Sequence, residues 1–375
     1  MKDTVYSGVP CTMYGDIYVK YGERFWSTDY RLPSDLAEQC PQIHHGDLIF
    51  TLSGETAEEI GKCAGFLGTG SVCIGGDILA LRPTDKYDAE FLCYAMNSPD
   101  CIRQKAQFGQ GDAVVHISQQ NLSSVELHIP TRSEQRRIAT SLSAVDSRLE
   151  ALSSLLAKQE AIKKSTLSLL MQPKNQWGSI ALGSFEFHRN NTCSRALTTS
   201  EIGTVKNIHY GDILIKFPEI VSLKTCDVDC LTEEGVRHAP DDYLQDGDIV
   251  IADTAEDETV GKMIEIQDVG DAKIVSGLHT VFLRPPKNLF VRGWLGYWMN
   301  STYYHDQLLP LMTGIKVLSV SKAALALSDV FYPPMNEQQR IVKCLTSLDN
   351  AIADTRATIA KAQQLKRGLM RYFFG

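Results

Sequence analysis

The segment Pro130-Thr-Arg-Ser-Glu-Gln-Arg-Arg-Ile138 recurs as Pro333-Pro-Met-Asn-Glu-Gln-Gln-Arg-Ile341, at an offset of 203 residues. The same offset aligns Met96-Asn97-Ser98 with Met299-Asn300-Ser301. Chance does not keep one register over so many positions, so the chain contains an internal duplication. The repeated unit decides the fold more than any single motif within it.

Upstream of these motifs the register drifts by a few residues, as loop insertions would cause. The further matches are Tyr14–Ile17 with Tyr210–Ile213, Gly46-Asp47 with Gly247-Asp248, Gly61-Lys62 with Gly261-Lys262, and Arg82-Pro83 with Arg284-Pro285. The duplication therefore spans a whole domain. The second copy opens with a segment, 176–195, that has no counterpart in the first copy.

The first part of each copy is rich in short runs of β-type residues. Examples are Asp47–Thr51, Val72–Ile74, Ile78–Leu81, Ile249–Ile251 and Thr280–Leu283, which Gly and Pro separate. Such runs predict strands. We expect a compact α+β domain in each copy.

The second part of each copy is predicted to be a long helix, with Ser133 and Asn336 as N-caps. Apolar residues recur there at the alternating spacing of four and three that marks a coiled coil. The seam residues are Ile138, Leu142, Val145, Leu149, Leu152 and Leu156 in the first copy, and Ile341, Leu345, Leu348, Ile352, Thr355 and Ile359 in the second. A single such helix could lie on its own domain, but two equal seams in one chain favour an intramolecular pair.

These observations predict four segments. Residues 1–130 form a first domain, 131–173 a first spacer helix, 174–333 a second domain and 334–375 a second spacer helix. The first helix would be about 57 Å long at about 1.5 Å per residue, which suits a rigid spacer.

Composition limits the function and the compartment. The formal net charge is -8, which taken alone argues against nucleic acid, although an acidic average can hide a basic face. The ten cysteines are scattered, and Cys226 and Cys230 have no second pair at ligand spacing, so we predict no metal site. The start of the sequence lacks a signal peptide and no apolar run is long enough for a membrane span, which predicts a cytoplasmic protein.

Two glycine motifs resemble parts of enzymes but lack the required context. Phe66-Leu-Gly-Thr-Gly70 matches a loop that binds S-adenosylmethionine, yet the residues after it look extended rather than helical. Gly61-Lys62-Cys63 and Gly261-Lys262-Met263 lack the rest of a phosphate-binding loop. The sequence therefore predicts a chain that catalyses nothing and holds no cofactor.

The doubled Pro-x-x-x-Glu-Gln-x-Arg-Ile motif, each time followed by a heptad helix, resembles the specificity subunit of Type I restriction-modification systems. Segments 46–61 and 247–262 are also similar to segments of that family, and the resemblance covers nearly the whole chain. It implies two target-recognition domains, each like the recognition domain of the Taq-type adenine methyltransferase. It also implies that two long helices, paired antiparallel, separate these domains. The missing start of the first copy departs from the usual layout.

The same resemblance implies the partners. Two modification subunits would dock on the helices and methylate adenine at N6 with their own S-adenosylmethionine, and motor-nuclease subunits would join the restricting complex. We expect the helix cations Lys158, Lys163, Lys164, Lys361, Lys366 and Arg367 to form a solvated or partner-facing surface.

The expected function is recognition of an asymmetric, bipartite DNA target, with half-sites about 10 bp apart from centre to centre. Two alternatives remain open. One is a coiled-coil scaffold that presents two protein-binding domains without DNA specificity, and the other is the recognition subunit of a fused nuclease-methyltransferase system.

Polar loop residues are the candidates for reading bases. The first choice is Gln107–Gln120 with its counterpart Thr313–Lys322, and the second is Ser53–Lys62 and Asp253–Lys262 with His279 nearby. The candidate residues are Ser53, Lys62, Gln107, Gln110, His116, Ser118, Gln119, Lys262, His279, Lys316, Ser319, Ser321 and Lys322. Any one of them, taken alone, is more often merely solvated.

Overall fold

The computed structural model describes residues 8–111, 113–239 and 242–375. These residues form two compact units. Unit 2 is Leu156–Asp354, and unit 1 contains the described residues up to Leu155 together with Thr355–Gly375. The start of the first predicted domain, before residue 8, lies outside the described residues, as do Asp112 and the pair at 240–241.

Unit 1 combines short strands with short helices. Its strands are β1 (Val9–Thr12), β2 (Arg24–Phe25), β3 (Tyr30–Leu32), β4 (Gln42–His44), β5 (Leu48–Thr51), β6 (Ser53–Gly54), β7 (Cys63–Phe66), β8 (Ser71–Ile74), β9 (Ile78–Leu81) and β10 (Val115–His116). Its short helices are α1 (Tyr14–Val19), α2 (Ser34–Ala37), α3 (Ala89–Ala95), α4 (Pro99–Phe108) and α5 (Gln119–Leu122). Two sheets have the orders β3-β1-β8-β4 and β2-β7-β5-β9, and β6 pairs separately with β10. The long helix α6 (Arg132–Leu170) begins in this unit.

Unit 2 repeats this arrangement with additions. Its strands are β11 (Gly178–Ala181), β12 (Glu186–Phe187), β13 (Thr198–Thr199), β14 (Val205–Ile208), β15 (Ile220–Ser222), β16 (Cys230–Leu231), β17 (Ile249–Ala252), β18 (Thr254–Ala255), β19 (Met263–Gln267), β20 (Lys273–Ser276), β21 (Thr280–Arg284), β22 (Leu318–Ser319) and β23 (Asp329–Tyr332). Its helices are α7 (Tyr210–Ile215), α8 (Glu233–His238), α9 (Trp294–Trp298), α10 (Thr302–Leu308), α11 (Lys322–Leu325) and the long α12 (Met335–Phe374), with 3-10 turns at Leu182–Ser184, Arg195–Leu197 and Leu309–Leu311.

Most strands of the two units correspond: β1, β3 and β8 match β14, β16 and β20, and β2, β5, β7 and β9 match β15, β17, β19 and β21, whereas β4 and β13 have no counterpart. The orders in unit 2 are β13-β16-β14-β20 and β12-β21-β17-β19-β15, with β18 paired to β22 and β11 to β23. In both units the first sheet contains one parallel pair, β1 with β8 and β14 with β20. The unmatched segment 176–195 supplies β11 and β12, which adds strands to unit 2 without changing the shared sheet order.

Each long helix begins in one unit and ends in the other. In unit 1, Leu142 of α6 packs in the same core as Met370 of α12, and in unit 2, Leu345 of α12 packs in the same core as Met171, just after α6. Each core therefore contains the start of one helix and the end of the other, in the chain order of an antiparallel pair. The predicted α+β fold with a helical pair is confirmed.

Burial along the seam changes with position. Ile138, Leu142, Val145, Ile341, Leu345, Ile352 and Thr355 are buried, whereas Leu149, Leu152, Leu156, Leu348 and Ile359 are half-buried. The first turns of each long helix pack on the domain that precedes the helix, as the sequence analysis allowed for a single amphipathic helix. The prediction of Ser133 and Asn336 as N-caps is wrong, because the helices begin at Arg132 and Met335 and both residues lie in the first turn.

The repeated Glu-Gln motif anchors each long helix to its domain. Gln135 accepts a hydrogen bond from the Asp88 backbone N–H at 2.8 Å and donates one to the Pro130 carbonyl at 2.9 Å. Gln338 does the same with the Val291 N–H at 2.8 Å and the Pro333 carbonyl at 2.9 Å. Both amides are buried, so losing them would leave backbone groups unpaired in the core.

Candidate nucleic-acid interface

Most of the residues that recur in both copies hold the frame together. Asn97 bonds to both backbone groups of Cys63, at 3.1 and 2.8 Å, and Asn300 does the same with Met263 at 3.2 and 2.9 Å. The arginine of the Arg-Pro motif forms an ion pair with the aspartate of the Gly-Asp motif, and two hydrogen bonds join the two side chains. These pairs join Arg82 to Asp47 and Arg284 to Asp248. Because these groups satisfy one another inside each copy, they build the domain and leave its loops to vary.

A lysine from the far end of each helix completes the same ion-pair network in both units. Lys163 lies 2.7 Å from Glu219 and 2.6 Å from Asp349, and Tyr297 donates a hydrogen bond to Asp349 at 2.6 Å. Burial works to lower the pKa of Lys163, but the two carboxylates outweigh it and the net shift is upward.

The counterpart in unit 1 uses the residues at the matching positions. Lys366 lies 2.8 Å from both Glu23 and Asp146, and Tyr94 donates to Asp146 at 2.7 Å. The expectation that Lys163 and Lys366 face solvent or a partner is wrong, because both ammonium groups are held in these networks. We call each network a lysine clamp.

A small two-stranded sheet brings the two predicted loop segments of unit 1 together. In the pairing of β6 with β10, Ser53 lies opposite His116, and the Ser53 hydroxyl is 2.9 Å from His116 Nδ1. Gln110 then exchanges two backbone hydrogen bonds with His116, at 3.0 and 2.8 Å, which closes the loop between them. Three of the candidates therefore meet here, Gln110 and His116 in the hairpin and Ser53 on the strand that pairs with it.

Unit 2 forms the same hairpin with different side chains. Thr254 lies opposite Ser319 in the pairing of β18 with β22, and Thr313 exchanges backbone bonds with Ser319 at 2.9 and 2.8 Å. The tip needs glycine in both units, because φ is 121° at Gly111 and 122° at Gly314. Lys316 projects from the second tip and is exposed.

Four candidates beside these hairpins lie at the starts of short helices. Ser118 and Ser321 cap α5 and α11, each accepting a backbone hydrogen bond at 3.1 Å. Gln119 and Lys322 are the next residues and are exposed. The serines therefore already have a structural role. Gln107, near the end of α4, is exposed too.

The candidates Lys62 and Lys262 point inward. Lys62 Nζ donates to the Tyr18 carbonyl at 3.1 Å, and Lys262 Nζ donates to the Leu214 carbonyl at 2.9 Å, in the last turns of α1 and α7. Burial lowers the pKa of both ammonium groups. Their positions favour support of the neighbouring helix over contact with phosphate.

The corner between the two sheets adds a position that sequence reasoning missed. The offset of 202 residues between Arg82 and Arg284 aligns Asp77 with the candidate His279. Both side chains are exposed. The carbonyl of each accepts a hydrogen bond from the residue just before the strand of the small sheet, from Leu52 N at 2.9 Å and from Asp253 N at 3.1 Å. The alignment alone could have selected Asp77.

These elements define one loop cluster in each unit. Loop cluster 1 is Gly75–Asp77, the described residues of 110–116, and Ser118-Gln119. Loop cluster 2 is His188–Asn190, Gly277–His279, Thr313–Ser319 and Ser321-Lys322. In cluster 2 the Lys322 ammonium lies 3.5 Å from the His188 carbonyl, and Asn190 donates to the Gly277 carbonyl at 3.3 Å.

The two clusters differ in charge. Cluster 2 carries Arg189, Lys316 and Lys322, all exposed. The described residues of cluster 1 include no lysine or arginine, and their acceptors and donors come from Asp77, glutamines, serine and His116. Cations suit contact with phosphate, and amides suit contact with base edges.

Comparison with known proteins points to one family. Residues 28–163 match the model of the Type I restriction modification DNA specificity domain. The Type I restriction enzyme MjaVIII specificity subunit of Methanocaldococcus jannaschii is 21% identical over 361 residues, covering 88% of this chain and 78% of that protein. Residues 28–163 therefore carry a Type I specificity domain, and most of the chain is similar to a Type I specificity subunit. The match to the model lies in the first copy and its helix, and the relative extends the likeness to the second.

Two solved structures share the fold of this chain. The S subunit of a Type-I restriction-modification system from M. genitalium has a TM-score of 0.54 at 16% identity, covering 95% of this chain and 89% of that one. A chain from a study of complex assembly and conformational transition of the type I R-M system has a TM-score of 0.51 at 20% identity, with 89% and 82% covered. In the described part of the chain, no helix is long and apolar enough to cross a membrane.

Proposed function

We propose that this specificity subunit reads an asymmetric, bipartite DNA target and directs partner enzymes to it without catalysing a reaction. The observation that carries the proposal is the pair of loop clusters, whose hairpins and corners occupy matching places on two copies of one frame but carry different side chains. Two different readers on one repeated frame recognise two different half-sites. The seam helices between them would fix the gap.

The charge distribution supports DNA as the ligand despite the acidic total. Cluster 2 gathers Arg189, Lys316 and Lys322 on one set of loops, and these would neutralise phosphates. Cluster 1 offers Gln110 and Gln119, whose amides match the donor and acceptor pair of adenine in the major groove. With so few cations in cluster 1, partners would supply further phosphate contacts there.

The helices offer two matching surfaces for partners. Leu155, Ile162 and Leu169 follow one another at seven-residue spacing on α6 and are exposed, which places apolar side chains in a line along the helix. The matching residues Leu365 and Tyr372 on α12 are exposed as well. We infer that two modification subunits dock here, bring S-adenosylmethionine and methylate adenine at N6 in the cytoplasm, with restriction subunits added in the cutting complex.

The deciding experiment is genome-wide detection of N6-methyladenine. Cells that carry this gene and its adjacent methyltransferase gene are compared with cells that lack this gene alone. Loss of methylation at a gapped, two-part motif, restored by complementation, supports the proposal and identifies the target. Unchanged methylation with the gene expressed contradicts it.

Binding in solution separates DNA reading from the scaffold alternative. The complex with its methyltransferase is mixed with a duplex that contains the motif, and with a duplex whose half-sites are scrambled. A specificity subunit prefers the first duplex and loses affinity steeply as salt rises. A protein scaffold shows neither behaviour.

A further inference from the structure

A three-residue corner carries the chain from the first sheet to the second in each unit. The corner is Gly75–Asp77 between β8 and β9, and Gly277–His279 between β20 and β21. Its last residue has left-handed backbone in both units, with φ of 58° at Asp77 and 54° at His279. Few residues other than glycine adopt this conformation, and a polar side chain held there is a reason to look for function.

Backbone contacts hold both ends of the corner, and in unit 2 the side chains of Asn190 and Thr280 also donate to the Gly277 carbonyl, at 3.3 and 2.6 Å. At its first residue, Gly75 N donates to the Thr12 carbonyl at 3.0 Å and Gly277 N to the Ile208 carbonyl at 2.9 Å. At its last residue, the carbonyls of Asp77 and His279 accept the bonds described above. Glycine in place of Asp77 or His279 would keep every one of these contacts with less strain. The side chains of Asp77 and His279 are therefore not required by the fold of the corner.

The two side chains are free to reach a ligand, and they differ in chemistry. Within the described residues, the Asp77 carboxylate has no hydrogen-bond or ion-pair partner. His279 Nδ1 lies 3.6 Å from an Asp253 carboxylate oxygen, and the ring meets Tyr210 edge-on. That contact turns one ring nitrogen inward, and no described residue bonds to the other.

The remaining left-handed residues of the described chain provide a contrast. Asp268, with φ of 57°, accepts hydrogen bonds from Ser222 at 2.6 Å and Lys224 at 3.1 Å, so its side chain serves the fold. Asn288, with φ of 64°, lies in the loop between β21 and α9, outside both loop clusters. Among the described residues other than glycine, only Asp77 and His279 combine the left-handed backbone with a place in a loop cluster.

We propose that Asp77 and His279 are paired specificity-determining residues, each contacting a base edge in its own half-site. The inference rests on the proposed function. A carboxylate can only accept hydrogen bonds, so Asp77 selects a base that presents an amino group in the major groove, cytosine or adenine. The free nitrogen of His279 contacts one base of the other half-site.

Glycine variants test this directly, because glycine keeps the corner and removes the side chain. Asp77→Gly and His279→Gly are expressed separately with the methyltransferase, and the methylated motif is mapped in each strain. With Asp77→Gly, one fixed cytosine or adenine of one half-site becomes degenerate. Sites that carry another base at that position are methylated about tenfold more, relative to sites with the original motif, than in the parent strain. His279→Gly relaxes one position of the opposite half-site. The gap and all other positions stay unchanged.

Asn288→Gly is the matched control, since it removes a left-handed side chain from unit 2 outside the clusters and leaves the motif unaltered. Asp77→Asn is a second test, because it keeps the shape but adds a donor and so changes which base is preferred. The melting temperatures of the glycine variants should match or exceed that of the parent.

Several outcomes would overturn the inference. The motif could stay intact in both glycine variants, or both could relax the same half-site. If a variant abolishes methylation while the complex still assembles, competition between duplexes at low salt decides, and unchanged base preference counts against the residue. If the parent chain itself supports no gapped motif, the proposed function fails, and this inference fails with it.

Discussion

The two copies share a frame but differ at their loops. In both copies a buried glutamine anchors the start of a long helix, and an asparagine bonds to the first residue of a strand in the second sheet. In both copies a lysine near the end of a long helix forms ion pairs with two carboxylates. The hairpins and corners at the loop clusters keep the same backbone but carry different side chains. The residues that hold the frame together are thus the same in both copies, whereas the loop side chains that would contact a ligand differ.

The cores of the two copies have also diverged at one buried pair. Arg24 on β2 lies opposite Gly65 on β7 and contacts the Glu90 carboxylate. At the matching place Ile220 lies opposite Glu265, which accepts a hydrogen bond from Gly296 N at 3.0 Å. Unit 1 therefore has a buried arginine on β2, whereas unit 2 has a buried glutamate on β19. The residues of this pair can therefore not be exchanged one at a time between the copies.

The largest expected effect breaks the frame equally in both copies. Leu142→Ala and Leu345→Ala each remove a fully buried side chain where a long helix meets its domain. Each should lower the free energy of unfolding by about 3 kcal/mol, because a cavity remains. Chemical denaturation of the single variants measures this.

The exposed leucines of α6 provide the control for this test. Leu155→Ala and Leu169→Ala should change stability by less than about 0.5 kcal/mol. A loss at Leu142 without a similar loss at Leu345 would mean that the two frames are not equivalent.

The second effect concerns the lysine clamps. Lys163→Met and Lys366→Met each leave two partly buried carboxylates without their cation, and side chains that are 16% and 20% exposed lose their contacts. We expect each variant to lose about 2 kcal/mol, less than for a fully buried pair because water reaches the site. Thermal and denaturant unfolding measure the loss.

Lys158→Met and Lys361→Met are matched controls, since these lysines occupy equivalent, exposed positions on the same helices. They should unfold like the parent chain. If the clamp variants also unfold like the parent, the clamps do not stabilise the units.

The sequence predicted the frame because its signals are local and doubled. Heptad spacing sets the helical seam, and short β-type runs set the strands, so Leu142 and Leu345 could be selected without coordinates. The hairpin candidates Ser53, His116 and Ser319 were also within reach, because their segments recur in both copies. Duplication doubled each weak signal.

The lysine clamps were not predictable in this way. Lys163 is far in sequence from Glu219 and Asp349, and its heptad position alone gives no sign of a buried contact in the other copy. The same limit applies to Lys62 and Lys262, whose carbonyl partners lie on α1 and α7. Backbone conformation at Asp77 likewise has no mark in a sequence that lacks glycine at that position.

The third effect uses the difference in charge between the loop clusters. If cluster 2 contacts phosphates, Lys316→Ala and Lys322→Ala should each reduce the slope of log affinity against log salt by about 0.9 and weaken binding to all duplexes alike. Gln119→Ala in cluster 1 should leave the slope unchanged. Fluorescence anisotropy of the complex with its methyltransferase, at several salt concentrations, tests this contrast. Equal slopes in all variants would remove the basis for assigning phosphate contact to cluster 2.

The smallest expected effect concerns two equivalent ion pairs, in which the pKa of the aspartate shifts in opposite directions. Asp47 and Asp248 bind matching arginines, but Arg82 is 65% exposed and Arg284 is 23% exposed. Burial works to raise the pKa of both carboxyl groups. At Asp47, Arg82 and the His44 backbone N–H outweigh burial and the pKa falls, whereas at Asp248 burial prevails and the pKa rises.

The two aspartates should therefore affect stability oppositely as pH changes. A lowered pKa contributes stability that is present above the unfolded value of about 3.9 and is lost as pH falls through the folded pKa, so Asp47→Asn should cost more at pH 7 than at pH 3. A raised pKa works the other way, because stability falls as pH rises through it, so Asp248→Asn should cost less at pH 7 than at pH 3. Denaturant unfolding at both pH values gives the two differences. The same sign for both variants would show that the deeper burial of the second pair does not outweigh its arginine.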